Sequence, residues 1–343
     1  MRSKFMFTAS LFAVATVVPA QATLLQIVSN GAGQQIEVEV GPIPGDVAVT
    51  GVNGGSTLLY TGVTSIDLRT GAGQDYVEFR ISTSTVPPIA VSTGGNISDV
   101  KFIYELPFSA TNIVSNVTVT GGSVNDAVDF SVIASGDNFT GNWTVNHGAG
   151  DNTTTSTINL PEPSTALNLN YTGNSGVGQD TLGLALISGA ANLSLSVGGS
   201  MGGGNDTANI VVDGLGPAAM ATAFNLNLGA GNDAANAEVI SRGGTIALSG
   251  AIRGATEIDT IVVKAEGNGT FNVLGDGGAG NDLVDFELKG SYTGTPRLLG
   301  GLNDDELKLV VDGPRTLTPF IDGGPGIDKA IGFGTIINVE QIN

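Results

Sequence analysis

Eleven times between residues 71 and 328 the chain returns to a short glycine-and-acid signature. The clearest copies are Gly71-Ala-Gly-Gln-Asp75, Gly176-Val-Gly-Gln-Asp180, Gly202-Gly-Gly-Asn-Asp206, Gly229-Ala-Gly-Asn-Asp233, Gly278-Ala-Gly-Asn-Asp282 and Gly324-Pro-Gly-Ile-Asp328. Weaker copies end at Asp126, Asn152, Asp259 and Asp305, and one ends at Ser98 or Asp99. With the last residue of each copy as its reference position, and with Asp99 taken for the undecided one, successive copies lie 23 to 28 residues apart. A period this steady marks a solenoid, in which each repeat is one small unit that buries its apolar face only by stacking on its neighbours.

What flanks the signature is equally regular. Apolar residues fall two, four and often six places after the reference residue, as in Val77/Phe79/Ile81, Val128/Phe130/Val132, Leu182/Leu184/Leu186 and Val284/Phe286/Leu288. Period-two alternation is the pattern of a half-buried strand. A second alternating run precedes each signature, for example Leu193/Leu195/Val197 and Phe224/Leu226/Leu228. A corner rich in Gly, Pro or Asn lies between the two runs. Each unit therefore reads strand, corner, strand, glycine turn. The expected fold is all-β: a right-handed parallel β-helix or β-solenoid of about 11 coils with 23–28 residues per coil. Each coil has two long sides and room for a short third. Right-handed winding follows the general rule for parallel crossovers, and a strand spacing of ~4.8 Å gives a rod roughly 50 Å long.

The domain order expected is 1–22 signal peptide, 23–60 N-terminal capping β element, 61–335 solenoid and 336–343 C-terminal cap. Arg2 and Lys4 supply the charged n-region, Phe5–Val18 the apolar stretch and Ala20-Gln21-Ala22 a small-x-small cleavage site. The apolar stretch is shorter than the ~20 residues needed to span a bilayer, and no later run is uninterrupted, so the mature chain is expected to have no transmembrane segment. Export to the extracellular space, the cell surface or the periplasm follows. Gly31-Ala-Gly-Gln-Gln35 looks like a worn copy of the signature with shifted apolar parity (Ile36, Val38, Val40). For that reason residues 23–60 read as a cap.

The glycine two places before the reference residue is expected at positive φ, where only glycine is free of steric cost. Asn303 takes that place before Asp305, and Asn is the next-best residue there. Val124 and Glu257 break the pattern, so their turns are expected to differ in shape. The residue just before the reference position (Gln74, Asn125, Asp151, Gln179, Asn205, Asn232, Asn281, Asp304) is expected to form a hydrogen-bonded polar ladder.

Gly277-Gly-Ala-Gly-Asn-Asp282-Leu-Val284-Asp resembles the Gly-Gly-x-Gly-x-Asp-x-U-x nonapeptide of hemolysin-type, repeat-in-toxin calcium-binding proteins. Gly323-Gly-Pro-Gly-Ile-Asp328-Lys-Ala330-Ile follows it except for a small residue at U. The resemblance covers only the turns, about a quarter of the chain. It implies that Ca2+ is bound by Asp75, Asp180, Asp206, Asp233, Asp282 and Asp328, and less directly by Asp126, Asp259 and Asp305. The chain departs from the family in having one such turn per coil, so an ion column would line a single edge.

Charge bears on the same point. The chain carries a formal net charge of −19, which becomes −21 once Arg2 and Lys4 are removed. Such a surface repels nucleic acid and anionic lipid and attracts cations. Carboxylates stacked ~5 Å apart repel by about 1 kcal/mol per neighbour even in water. Ca2+ relieves that repulsion, since it takes six to eight oxygens in loose geometry. The competing reading is that each Asp only accepts N–H groups of its own turn. With no cysteine, disulfides are excluded as staples.

Function divides into three classes on these residues. The first is a non-catalytic secreted or cell-surface rod serving as scaffold, adhesin or matrix component, with calcium and a cell-surface glycan or protein as partners. The second is a β-helix polysaccharide lyase or hydrolase. Paired carboxylates at glycosidase spacing arise trivially in a stack, basic residues are scattered, and His147 is the only histidine, so no catalytic constellation emerges. Trp143 and Tyr171 read as core or edge packing before sugar platforms. The third is an ice-binding solenoid, but only Thr256 occupies the threonine place that such turns use.

Overall fold

A computed structural model describes residues 23–342 apart from 30–32, 53–54, 72, 96–97, 107–111, 135–137, 161–165, 191 and 217–218. The expected signal peptide, 1–22, and Asn343 lie outside the described residues. The described chain is all strand and turn, with no helix. In particular, no helix is long and apolar enough to cross a membrane.

The strands form two parallel stacks. Sheet 1 collects the strands that follow the glycine turns. It runs from Gln35–Val40 through Asp75–Ile81, Ser98–Leu106, Asp126–Ala134, Thr153–Leu160, Thr181–Ser188 and Thr207–Gly214, and ends at Lys329–Ile331 and Gln341–Ile342. Sheet 2 collects the strands that precede the turns, among them Ile113–Thr120, Asn138–Asn146, Ala166–Asn174, Asn192–Ser200 and Ala219–Ala230. The strands Ala234–Thr256 and Thr260–Ala279 bend round the far corner unbroken and contribute to both sheets. The fold is therefore the expected β-solenoid, flattened to two long sides. It has about nine regular turns rather than eleven. Toward the C-terminal end the levels shorten to strands of two or three residues.

Alternation places one face of every strand inside. The inward residues of both sheets form a single continuous core. Identical side chains fall into files: Phe79, Phe102 and Phe130 stack with centroids 4.9 Å apart at each step, and Trp143 from the other sheet lies 4.1 Å from Phe130. Trp143 and Tyr171 are buried, the core role expected for them.

At the N-terminal end, Thr23–Val28 and Gln35–Val40 already belong to the two stacks. Ile36, Val38 and Val40 pair with Val77, Phe79 and Ile81 and are fully buried. The worn signature is thus in register when counted from Gln34, and its parity is not shifted. Val47–Thr50 and Leu58–Tyr60 turn back antiparallel over the outer edge of Gln35–Val40. Covering a free strand edge in this way blunts further pairing.

Candidate functional site

The glycine corners lie directly over one another, and backbone hydrogen bonds knit them together. Gly178 N–H donates to the Gly203 carbonyl, Gly204 to Ala230 and Asn303 to Pro325, at 2.7–2.9 Å. Stacking this tight forces glycine at one place. A Cβ on Gly301 (φ 115°) would lie 1.8 Å from the Gly278 carbonyl oxygen. The expected positive φ two places before the reference residue occurs at Gly73, Gly150, Gly178, Gly204, Gly231 and Asn303. It is absent at Gly280 and Gly326, where the residue two places earlier takes it instead (Gly278 and Gly324). Glu257 adopts φ 69° despite its side chain, and its Oε2 accepts the Gly231 N–H.

The reference residues form one file, with Ser98, not Asp99, at the undecided level, since Ser98 pairs with both Asp75 and Asp126. They do not line an outer edge. Asp75, Asp126, Asp180, Asp206, Asp233, Asp259, Asp282, Asp305 and Asp328 are all at most 4% exposed and point inward. The reason is the pleat: the reference residue shares its parity with the buried residues two, four and six places on.

Inside, each carboxylate has a fixed task. One oxygen accepts the backbone N–H of the reference residue one coil earlier. Asp206 Oδ1 takes Asp180 N–H, Asp233 takes Asp206, Asp259 takes Asp233, Asp282 takes Asp259, Asp305 takes Asp282 and Asp328 takes Asp305, all at 2.7–2.9 Å. The file continues beyond the predicted residues at both ends. Gln34 N–H donates to Asp75 Oδ1, and Asp328 N–H donates to Glu340 Oε2. At Asp126, whose turn contains Val124, Oδ2 instead accepts the N–H of Gly122 within its own turn. That turn differs as expected.

The second oxygen is the informative atom. Oδ2 of Asp75, Asp180, Asp206, Asp233, Asp259, Asp282, Asp305 and Asp328 is buried without a hydrogen-bond partner. Asn152, in the same file, shows what faces that position. Its Oδ1 accepts the Asp126 N–H as an aspartate would, and its Nδ2 donates to the carbonyls of Gly150 at 2.8 Å and Gly148 at 3.2 Å. By register, an aspartate puts a bare oxygen where Asn152 puts a donor. At four levels a glycine makes room for it: a Cβ on Gly254, Gly277, Gly300 or Gly323 would lie 2.1–2.5 Å from the Oδ2 of Asp259, Asp282, Asp305 or Asp328. Among the described residues no three His, Asp or Glu side chains converge as a metal cluster. A cation here would take backbone carbonyls as its other ligands.

Removal from water makes these acids weak. Burial pushes Asp126 up to about 6 and Asp206, Asp259 and Asp305 up to about 7. The neighbouring carboxylates add to the rise, and the accepted N–H opposes it. Asp180, Asp233, Asp282 and Asp328 are raised by the same burial.

A second ladder runs outside. The expected polar ladder forms at Asn125, Asp151, Asn205, Asn232, Asn281 and Asp304, each side chain accepting the N–H of its counterpart one coil later at 2.8–3.2 Å. His147 directly follows the strand Asn138–Asn146. It is part-buried, a ring nitrogen lies 2.8 Å from Thr154 Oγ1, and burial lowers it to about 4.

No protein-family model, no curated protein and no solved structure matches the chain.

Proposed function

We propose that the chain is an exported, non-catalytic rod that serves outside the cell as a scaffold, adhesin or matrix component, stiffened by Ca2+ in its inner acid file. One observation carries this reading: eight aspartates of the file each keep a buried oxygen without a hydrogen-bond partner, at the place where Asn152 sets an amide that donates to its turn carbonyls. A buried carboxylate oxygen left unanswered inside a protein calls for something positive beside it. The donors are hard oxygens, one carboxylate per coil plus carbonyls, the kind of set that Ca2+ takes. The likeness of the Gly277–Asp285 turn to hemolysin-type repeats points the same way. Asp75, Asp126, Asp180, Asp206, Asp233, Asp259, Asp282, Asp305 and Asp328 would hold the ions. A long flat-sided solenoid offers extended lateral surfaces suited to a cell-surface glycan or protein partner.

A second reading has its own support. Asn152 fills the same place with no charge, so the file works as a purely structural ladder wherever the donor is built in. Thermal unfolding of the mature chain in millimolar Ca2+ and in chelator separates the two. A midpoint several degrees higher with Ca2+ is expected, and an unchanged midpoint removes calcium from the proposal.

A further inference from the structure

Charge is sorted unevenly over this rod. Outward positions of sheet 1 carry Asp129, Asp213, Glu238, Lys264, Glu287 and Lys308, some joined in ion pairs such as Lys264–Glu287 at 2.9 Å. Five consecutive strands of sheet 2 contain no Asp, Glu, Lys or Arg at all: Ile113–Thr120, Asn138–Asn146, Ala166–Asn174, Asn192–Ser200 and Ala219–Ala230. In a chain of net charge −19 this is a broad neutral wall.

Its outward residues are short and stand in ranks. One rank runs Asn116, Asn142, Asn170, Ser196, Ala223 and the next runs Thr118, Thr144, Thr172, Gly198, Asn225. The amides are tied to one another along the rod. Asn138 donates to Asn112, Asn142 to Asn116, Asn170 to Asn142 and Asn174 to Asn146, at 2.7–2.9 Å. Each amide in these ladders already has a partner, so the wall loses less on dehydration than free amides would. Locked short side chains also give up little rotamer entropy on contact.

We propose that this wall is a self-association surface on which two copies of the chain pack face to face. The other broad side presents charged side chains of both signs that a second copy would have to desolvate, whereas this wall has none. Five strands ~4.8 Å apart and about nine residues long cover roughly 700 Å2, or about 1,400 Å2 for a pair, which lies within the range of stable interfaces. Two copies also share one strand spacing, so their ranks interlock across the whole contact. Stacked flat sheets with ladders of amides use the same packing.

Sedimentation equilibrium on the mature chain tests the proposal. The expected result is a dimer at micromolar concentration. Asn170→Glu or Ser196→Glu, each placing a charge at the centre of the wall, weakens association about tenfold or more, because like charges brought together cost several kcal/mol. Thr157→Glu, outward on sheet 1, leaves the dimer intact. Far-ultraviolet circular dichroism stays unchanged in all three, which separates lost association from lost folding. A wild type that remains monomeric into the high micromolar range overturns the proposal. So does a dimer indifferent to the wall charges, or a monomer that binds ice or a neutral insoluble glycan through this wall.

Discussion

Replacing Asp206 by Asn tests the inner file most directly, because Asn152 shows the outcome in the same molecule. Asp206 is 1% exposed, its Oδ1 accepts the Asp180 N–H and its Oδ2 has no partner. A buried acceptor left without a partner costs about 1–3 kcal/mol, and an amide bond made in its place adds about 0.5–1.5 kcal/mol. In chelator at pH 8, where Asp206 is mostly ionised, Asp206→Asn should therefore stabilise the rod by about 1–3 kcal/mol. In millimolar Ca2+ the order reverses, because the variant has lost its anionic ligand. Urea unfolding followed by circular dichroism, with and without Ca2+, reads both signs. Asp206→Ala serves as the reference that removes both oxygens and leaves the Asp180 N–H unpaired. If Asp206→Asn is as destabilised in chelator as Asp206→Ala, the equivalence with Asn152 is wrong. If it is stabilised equally with and without Ca2+, the ladder stands but the cation does not.

The raised acids predict a pH dependence. Asp206, Asp259 and Asp305 titrate near 7 in the folded rod and near 3.8 when unfolded, so between those values the folded state binds more protons and stability falls as pH rises. In chelator the melting midpoint should be higher at pH 5 than at pH 8, with the loss complete by about pH 8, and Ca2+ should flatten the profile. At the corner, Gly301→Ala should cost about 1–3 kcal/mol for its φ of 115° and more for its approach to the Gly278 carbonyl. Urea midpoints of the variant and the wild type measure it.

The two-sided solenoid was legible because alternation and period agreed at every level, from Val77/Phe79/Ile81 to Leu307/Leu309. The direction of the aspartates was also written in that pattern: a residue two places before a buried Val or Phe must itself face inward. The placement of Gln34 follows from the same parity, counted from Ile36. Other features had no such signal. Glu340 closes the file only because the last short strands bring it to Asp328, and nothing in the local sequence marks it. The φ of 69° at Glu257 is imposed by the turns stacked on either side, against the residue's own preference. The burial of His147 depends on its position beside Thr154 within the stack.

The two hydrogen-bond ladders run in opposite senses along the rod, and this gives assembly a direction. A coil just laid down finds its outer acceptor waiting on the coil before it, at Asn232 for Ile258, for instance. Its inner N–H stays unanswered until the next coil delivers a carboxylate, as Asp282 does for Asp259. A growing molecule thus always has one unfinished front, and each added coil moves that front a step forward. Such a rod tolerates gain or loss of whole coils far better than an extra residue within one. For Asp328 that carboxylate comes from Glu340, a side chain belonging to no glycine turn.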